Sequence, residues 1–256
     1  TGATAVPIEL KEDKGFVFDP DVVLEQVNGR TRLIIINSPA NPTGAVVTKP
    51  TFDRLVEGLE AYPKVAILSD EIYSRIIYNN QQHVSMLQFD SIRDRLIVAN
   101  GWSKTYAMTG WRIGYGIWPQ SLFNYAEKLA INSYSCPNAV SQHAGIVALQ
   151  GSQDQVEEMV ATFDNRRKII VAGLNAISGV CCEEPPGAFY VFPNIEGTGF
   201  NALSLQQRLL EEAGVALLAG TFFGALGKGH LRISYANSLE NINAAIERIS
   251  NFLISH

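Results

Sequence analysis

Three short aliphatic runs, each closed by a polar side chain, give the chain its first outline: Leu33-Ile-Ile-Ile-Asn37, Val65-Ala-Ile-Leu-Ser-Asp70 and Arg95-Leu-Ile-Val-Ala-Asn100. Continuous apolar character, in place of strict alternation, predicts strands covered on both faces, as in a mostly parallel sheet flanked by helices. Between the first two, Phe52, Leu55, Val56 and Leu59 recur at helical spacing over 48–62, with Thr48 as the expected N-cap and Pro50 in the first turn. Strand–helix–strand alternation of this kind predicts an α/β domain. Further on, 112–117 reads as a strand, and 120–131 and 138–150 as helices, the second closed by Gly151. An amphipathic stretch over 153–177, carrying Val156, Met159, Val160, Phe163, Ile169, Ile170, Val171 and Leu174, reads as one long helix leading into a second unit. There, strand candidates at 188–192, 215–218 and 230–235 alternate with helices at 202–213 and 239–253. The pattern divides the chain into 1–152, part of a large α/β domain, and 153–256, a smaller α+β domain.

Composition narrows the function classes. The 256 residues are 46% hydrophobic and 18% charged, enough apolar material for a sizeable core. A net charge of −5 offers no basic field for nucleic acid. The apolar runs fall far short of the roughly 20 residues that span a bilayer, so neither nucleic acid nor membrane is expected as a partner. The start, Thr1-Gly2-Ala3-Thr4-Ala5, lacks the basic and apolar segments of a signal peptide and reads as mid-domain sequence, which points to a fragment. Cys136, Cys181 and Cys182 do not form a disulfide framework, and this favours a reducing, cytoplasmic setting. His83, His143, His230 and His256 show no metal-ligand spacing, and no metal site is expected.

In open α/β sheets, ligands bind beyond the carboxyl ends of the strands, and the polar closures of the three runs fall there. The first continues into Asn37-Ser-Pro-Ala-Asn41-Pro42-Thr43-Gly44, where two X-Pro steps fix an extended turn with Asn41 at its tip. The second ends in Asp70-Glu71-Ile72-Tyr73, and the third in Asn100-Gly-Trp-Ser103-Lys104, followed by Gly110-Trp111-Arg112-Ile113-Gly114. An amide, a carboxylate, a phenol, a lysine and an arginine are thereby expected along one edge. Singly, an Asp at a strand end is ordinarily a cap, and a Lys–Arg pair is ordinarily surface charge; order and spacing together carry the signal. Glu71 does not make a carboxylate dyad with Asp70, because neighbouring residues at a strand end point apart. Gly220–Gly229 lacks a G-x-G-x-x-G arrangement between strand and helix and reads as a flexible turn, while Trp102 and Trp111 read as packing residues.

Taken together, Asn41-Pro42-Thr43-Gly44, Asp70 with Tyr73, Ser103-Lys104 and Gly110-x-Arg112-x-Gly114, in that order, resemble the class I and II aminotransferases of the pyridoxal-phosphate fold type I superfamily. A later Leu231-Arg232-Ile233-Ser234 matches that family's carboxylate-binding arginine, and the resemblance covers essentially the whole chain. It implies pyridoxal 5'-phosphate as cofactor and transfer of an amino group from an L-amino acid to a 2-oxo acid. Lys104 would form the Schiff base and move the proton. Asp70 would pair with the pyridine nitrogen, so that the ring can take up charge from the α-carbon. Tyr73 and Asn41 would hydrogen-bond the ring's phenolic oxygen, and Ile72 would pack on its face. Arg112, with Ser103, would hold the phosphate, and Arg232, with Asn41, the substrate carboxylate. A homodimer is also implied, since family sites lie at a two-fold interface. The chain departs from the family by lacking its N-terminal portion, by Gly101 where many members carry Ser, and by Ala219-Gly220-Thr221 where relatives have Pro-Gly. Two other readings use the same scaffold: a carbon–sulfur lyase or related synthase employing Lys104, Asp70 and Arg232, and the effector-binding module of a regulator.

Overall fold

The computed structural model describes residues 2–256, which fall into two compact units. One comprises Val17–Pro39 and Val46–Glu158; the other comprises the segment up to Phe16, Ala40–Ala45 and Met159–His256.

In the first unit the three aliphatic runs form β1 (Leu33–Asn37), β2 (Ala66–Asp70) and β3 (Leu96–Gly101), and the segment after Arg112 supplies β4 (Gly114–Ile117). The sheet order is β1-β2-β3-β4, with the first three strands parallel and β4 antiparallel to β3. The register sets Asn37 against Asp70 and Asp70 against Ala99, so two polar strand ends lie level and the third, Asn100, falls one residue beyond. Ile67 and Val98 are buried, as central strands require. β1 departs from the expected double cover: Leu33 and Ile35 on one face are exposed, Ile35 at 67%, while Ile36 on the other face is buried.

The connection from β1 to β2 contains α2 (Lys49–Gly58), extended by one 3₁₀ turn through Ala61. Phe52, Leu55 and Val56 form its buried stripe. Thr48 sits at the N-cap with extended backbone, yet its hydroxyl meets Thr51 Oγ1 at 3.0 Å and bonds no helical N–H. Past the helix, Arg95 gathers three carbonyls from the turn that leads into β2. Its Nη1 donates to Tyr62 O at 2.6 Å and Val65 O at 3.2 Å, and Nη2 donates to Leu59 O at 3.1 Å. Those bonds also pin the start of β3. A short helix, α1 (Pro20–Gln26), precedes β1 and is capped by Asp19, whose Oδ1 accepts from Asp21 N at 2.9 Å. Its seven residues are too few to show a period in the sequence. After β4 come α3 (Gln120–Tyr134) and α4 (Ala139–Gln150), then α5 (Asp154–Asn175), one long helix as the pattern predicts. Gly151 closes α4 through its N–H to Val147 O at 2.8 Å, with φ −73° in place of a left-handed cap. Tyr125 and Leu129 of α3, and Val140 and Val147 of α4, are exposed.

In the second unit, β5 (Tyr190–Val191), β6 (Leu218–Ala219) and β7 (Leu231–Ser234) form an antiparallel sheet in the order β5-β7-β6. The helices are α6 (Ala202–Ala213) and α7 (Leu239–Ile254). Asn201 caps α6, its Oδ1 accepting from Leu203 N at 3.0 Å and Ser204 N at 3.3 Å, and Gly214 ends it in the left-handed region at φ 66°. Leu205 and Leu209 of α6 are buried, as is Tyr235, whose hydroxyl donates to Ala188 O at 3.1 Å. Residues 220–229 are not a loose turn: two 3₁₀ turns bring the Gly220 and Gly227 backbones so close that neither could carry a side chain.

Candidate active site

Beyond β3 the chain doubles back before entering β4. Tyr106 N–H donates to Trp102 O at 3.1 Å, and Trp102 N–H to Ile113 O at 3.4 Å; Ala107 and Arg112, both at φ 52°, allow the reversal. Trp102 secures this turn to α4, its indole N–H donating to Gly145 O at 3.0 Å, over a glycine whose missing side chain leaves room for the ring. Trp102 is therefore a packing residue as expected, while Trp111 is exposed.

The turn brings Ser103 and Arg112 to a pocket of about 240 Å³ whose walls also include Ile72, Asn100, Gly101, Ile113 and Gly114. Arg112 Nη1 donates to Thr109 O at 2.8 Å, which orients the guanidinium, and a guanidinium carries further N–H donors suited to an anion. A Cβ at Gly101 would lie 3.0 Å from both Gly114 Cα and Ile113 O, so the close approach of β3 and β4 suits glycine there.

Asp70 closes β2. Its backbone carbonyl accepts from Asn37 Nδ2 at 3.1 Å and Ser38 N at 3.2 Å, and its Oδ1 accepts from Ile72 N–H at 3.2 Å. Burial pushes its carboxyl above the ordinary 3.8; the Ile72 N–H works against this, and the neighbouring Glu71 charge adds to it. Tyr73 is buried, and Lys104 Nζ lies 5.9 Å from the centre of its ring. Within this unit, then, Ile72, Ser103 and Arg112 share one pocket, Lys104 stands by Tyr73, and Asp70 lies at the adjoining strand end.

The other two expected residues meet in the second unit. Arg232 Nη1 donates to Asn41 Oδ1 at 3.1 Å, and its guanidinium carbon lies 4.7 Å from the Tyr190 ring centre and 5.0 Å from that of Phe223. Its Nε is buried with no hydrogen-bond partner among the described residues, a donor left for an incoming acceptor. Asn41 is presented by a tight loop in which Ala40 N–H donates to Ala45 O and Gly44 N–H to Ala40 O, each at 2.9 Å. Gly44, at φ 71°, packs against 185–187, and a Cβ there would lie 2.7 Å from Gly187 O. That segment is braced in turn by the buried Arg167, whose Nη1 donates to Pro185 O at 2.9 Å.

Sequence reasoning missed the aromatic neighbours of Arg232. Tyr190 reaches it only because β5 pairs with β7 in the register Tyr190 to Ser234, two residues from Arg232. Glu71 was also passed over. It is buried in a cluster with His83 and Ser85, for which His83-x-Ser85 downstream of an acidic strand end was the available signal.

A family model for aminotransferase class I and II matches residues 1–249. The chain belongs to that family. This aminotransferase chain is 42% identical over 255 residues to the aspartate aminotransferase of Pyrococcus horikoshii, covering 98% of itself and 64% of that protein. To the aspartate aminotransferase of Bacillus subtilis it is 36% identical over 261 residues, covering 100% of itself and 66% of that protein. Among solved structures it matches an aromatic aminotransferase from Pyrococcus horikoshii with a TM-score of 0.93 at 36% identity, over 98% of this chain and 67% of that one. The aspartate aminotransferase of Rhizobium meliloti matches with a TM-score of 0.90 at 36% identity, over 95% and 63%. The α/β architecture implied by the motif order is therefore that of the aminotransferases. The chain spans about two thirds of the length of the curated relatives it matches. No helix among the described residues is long and apolar enough to cross a membrane.

Proposed function

We propose that this chain carries the lysine-bearing part of a transaminase, which moves an amino group from an L-amino acid to a 2-oxo acid with pyridoxal 5'-phosphate as cofactor. The observation that carries the reading is the pocket walled by Ile72, Ser103 and Arg112, in which Ser103 directly precedes Lys104 in the chain and Ile72 N–H bonds the Asp70 carboxyl. Its donor set fits the cofactor: a guanidinium and a hydroxyl suit a phosphate, and a carboxyl held partly out of water suits a ring nitrogen.

Bound there, the cofactor supplies an aldehyde that takes up the amino group and a ring that accepts the electron pair left on the substrate's α-carbon. Lys104 Nζ is the amine that would hold the aldehyde carbon, and it would serve as the acid–base group for the proton at the substrate's α-carbon. Asp70 would hold the proton at the ring nitrogen, its carboxylate oriented by the Ile72 N–H. The Ile72 side chain would pack on the ring face, and the Tyr73 hydroxyl would bind the ring's phenolic oxygen. Arg112 and Ser103 would bind the phosphate. In the second unit Arg232 would bind the substrate α-carboxylate through its Nε, which has no partner among the described residues, and Asn41 holds that guanidinium in place.

The proposed functional division is 1–152 as part of the cofactor-bearing large domain and 153–256 as the small domain, although the segment up to Phe16 and Ala40–Ala45 group with the latter. The relatives' names support aspartate or another common amino acid as donor and offer nothing in favour of the carbon–sulfur lyase or the regulator module. The exposed apolar side chains of α3 and α4 support a homodimer, since such surface ordinarily marks an interface. A cytoplasmic location accords with unpaired cysteines. Absorbance with added pyridoxal 5'-phosphate tests the reading: the chain develops a visible-edge band that Lys104→Ala abolishes. A band that survives this substitution refutes it.

A further inference from the structure

Glu71 has no role in the reading above, yet it is the most elaborately held acid in the molecule's first unit. Its side chain is 5% exposed. Oε1 accepts from Ser69 Oγ at 3.0 Å, Ser85 Oγ at 3.1 Å and Met86 N–H at 3.0 Å, while Oε2 lies 2.9 Å from His83 Nε2. Its own N–H donates to Ala99 O at 2.9 Å, extending the β2–β3 ladder one residue past the strand. The bond to Ser69, two residues back, shows that Glu71 points to the opposite side from Asp70. With its proton on Nε2 the His83 ring donates to Glu71 and leaves Nδ1, buried without a partner among the described residues, as a bare acceptor.

These two adjacent acids live in opposite environments. Around Glu71, burial opposes ionisation, but the bonds from His83, Met86 and Ser85 outweigh it and hold the carboxyl below its ordinary 4.5. Around Asp70, burial prevails against a single backbone N–H, and the Glu71 charge adds to it. Paired acids driven apart in this way divide the labour of holding charge and holding a proton. The titratable groups facing the cluster are Asp70 on the strand itself, His83 from the segment packed below it, and Tyr115 on β4, whose phenol is pushed up first by burial and then by Glu71 and Tyr106.

We propose that Glu71 is a positioning residue for the candidate site: a buried anchor, clamped by Ser69, His83, Ser85 and Met86, that fixes the turn carrying Asp70 and sets its own charge against the Asp70 carboxyl. The role deepens the reading in which Asp70 meets the cofactor's ring nitrogen, and it rests on that reading. The test is an NMR pH titration of the cofactor-free chain with isotope-labelled aspartate carboxyls, Asp70 being assigned by its disappearance in Asp70→Asn. In Glu71→Gln, with circular dichroism showing a folded chain, the Asp70 titration moves to lower pH. In the unaltered chain the same signal shows a second inflection where Glu71 titrates, which answers the question even if Glu71→Gln fails to fold. An Asp70 curve with one step in the unaltered chain, or an unmoved one in folded Glu71→Gln, overturns the proposal while leaving the Lys104 absorbance test untouched. Survival of the cofactor band in Lys104→Ala removes the site reading, and the positioning role falls with it even where the two acids prove coupled.

Discussion

Replacing Arg167 with Met tests the strut that supports the Asn41 loop. The guanidinium is 0% exposed; its Nε and Nη2 donate to Asp164 Oδ1 at 3.0 and 2.6 Å, and its Nη1 lies 2.9 Å from Pro185 O and 3.0 Å from Glu184 Oε1. Removing one member of a fully buried ion pair costs about 3–5 kcal/mol, mostly because the partner is stranded. Here the partners are not stranded: Asp164 is 28% and Glu184 44% exposed, and Lys168 Nζ stays 2.6 Å from Asp164. The ionic part therefore falls to about 1–2 kcal/mol. The Pro185 carbonyl loses its donor, adding about 1–2 kcal/mol, and Met refills much of the volume. Arg167→Met is expected to lose about 3 kcal/mol in urea unfolding, as a lower midpoint at unchanged slope. Arg167→Lys keeps the charge without the planar fork and should lose less. Because 184–187 seats Gly44, the Asn41 side-chain amide should shift in NMR spectra of Arg167→Met. A loss below about 1 kcal/mol would refute the strut, since it would mean that the buried guanidinium stabilises no more than an exposed ion pair does.

Other outcomes follow from single contacts. Thr48→Ala should cost only a few tenths of a kcal/mol, because its hydroxyl caps no N–H, whereas Asn201→Ala should cost about 1 kcal/mol; equal midpoints in urea would contradict this. Asp70→Asn should stabilise the chain at neutral pH. Its folded value is raised, so as pH climbs from 3.8 through that value the unfolded chain sheds the proton first and stability falls, a loss that Asn does not suffer. Thermal melts at acid and neutral pH measure it, and a destabilised Asp70→Asn at neutral pH would speak against the burial argument. Cys182 is buried with its thiol pushed up to about 12, so brief alkylation of the native chain should label the exposed Cys136 and Cys181 and spare Cys182, as fragmentation of the labelled peptides would reveal.

Much of the fold was legible because strands covered on both faces must be apolar throughout, and that left its mark at 33–37, 65–70 and 95–100. Long helices were equally plain, since a period of 3.6 needs only a few turns to show; α1 escaped for want of length. The strands of the second unit came out shorter than their apolar runs, because a ladder ends where its partner ends, which no local signal records.

Among the candidate residues, chemical identity and order were set locally: a lysine after Ser103, an acid closing β2, an arginine on either side of the chain's midpoint. Their environments were not. That Asp70 and Glu71, neighbours of nearly identical chemistry, should have opposed proton affinities depends on His83, Ser85 and Met86 folding back onto one and not the other. That Arg232 should stand by Tyr190 with an unpartnered Nε depends on the register of β5 against β7. Period and spacing are properties of consecutive residues and so survive in one dimension. Burial, hydrogen-bond partners and charge–charge distance exist only between residues far apart in the chain, and these had to wait for three.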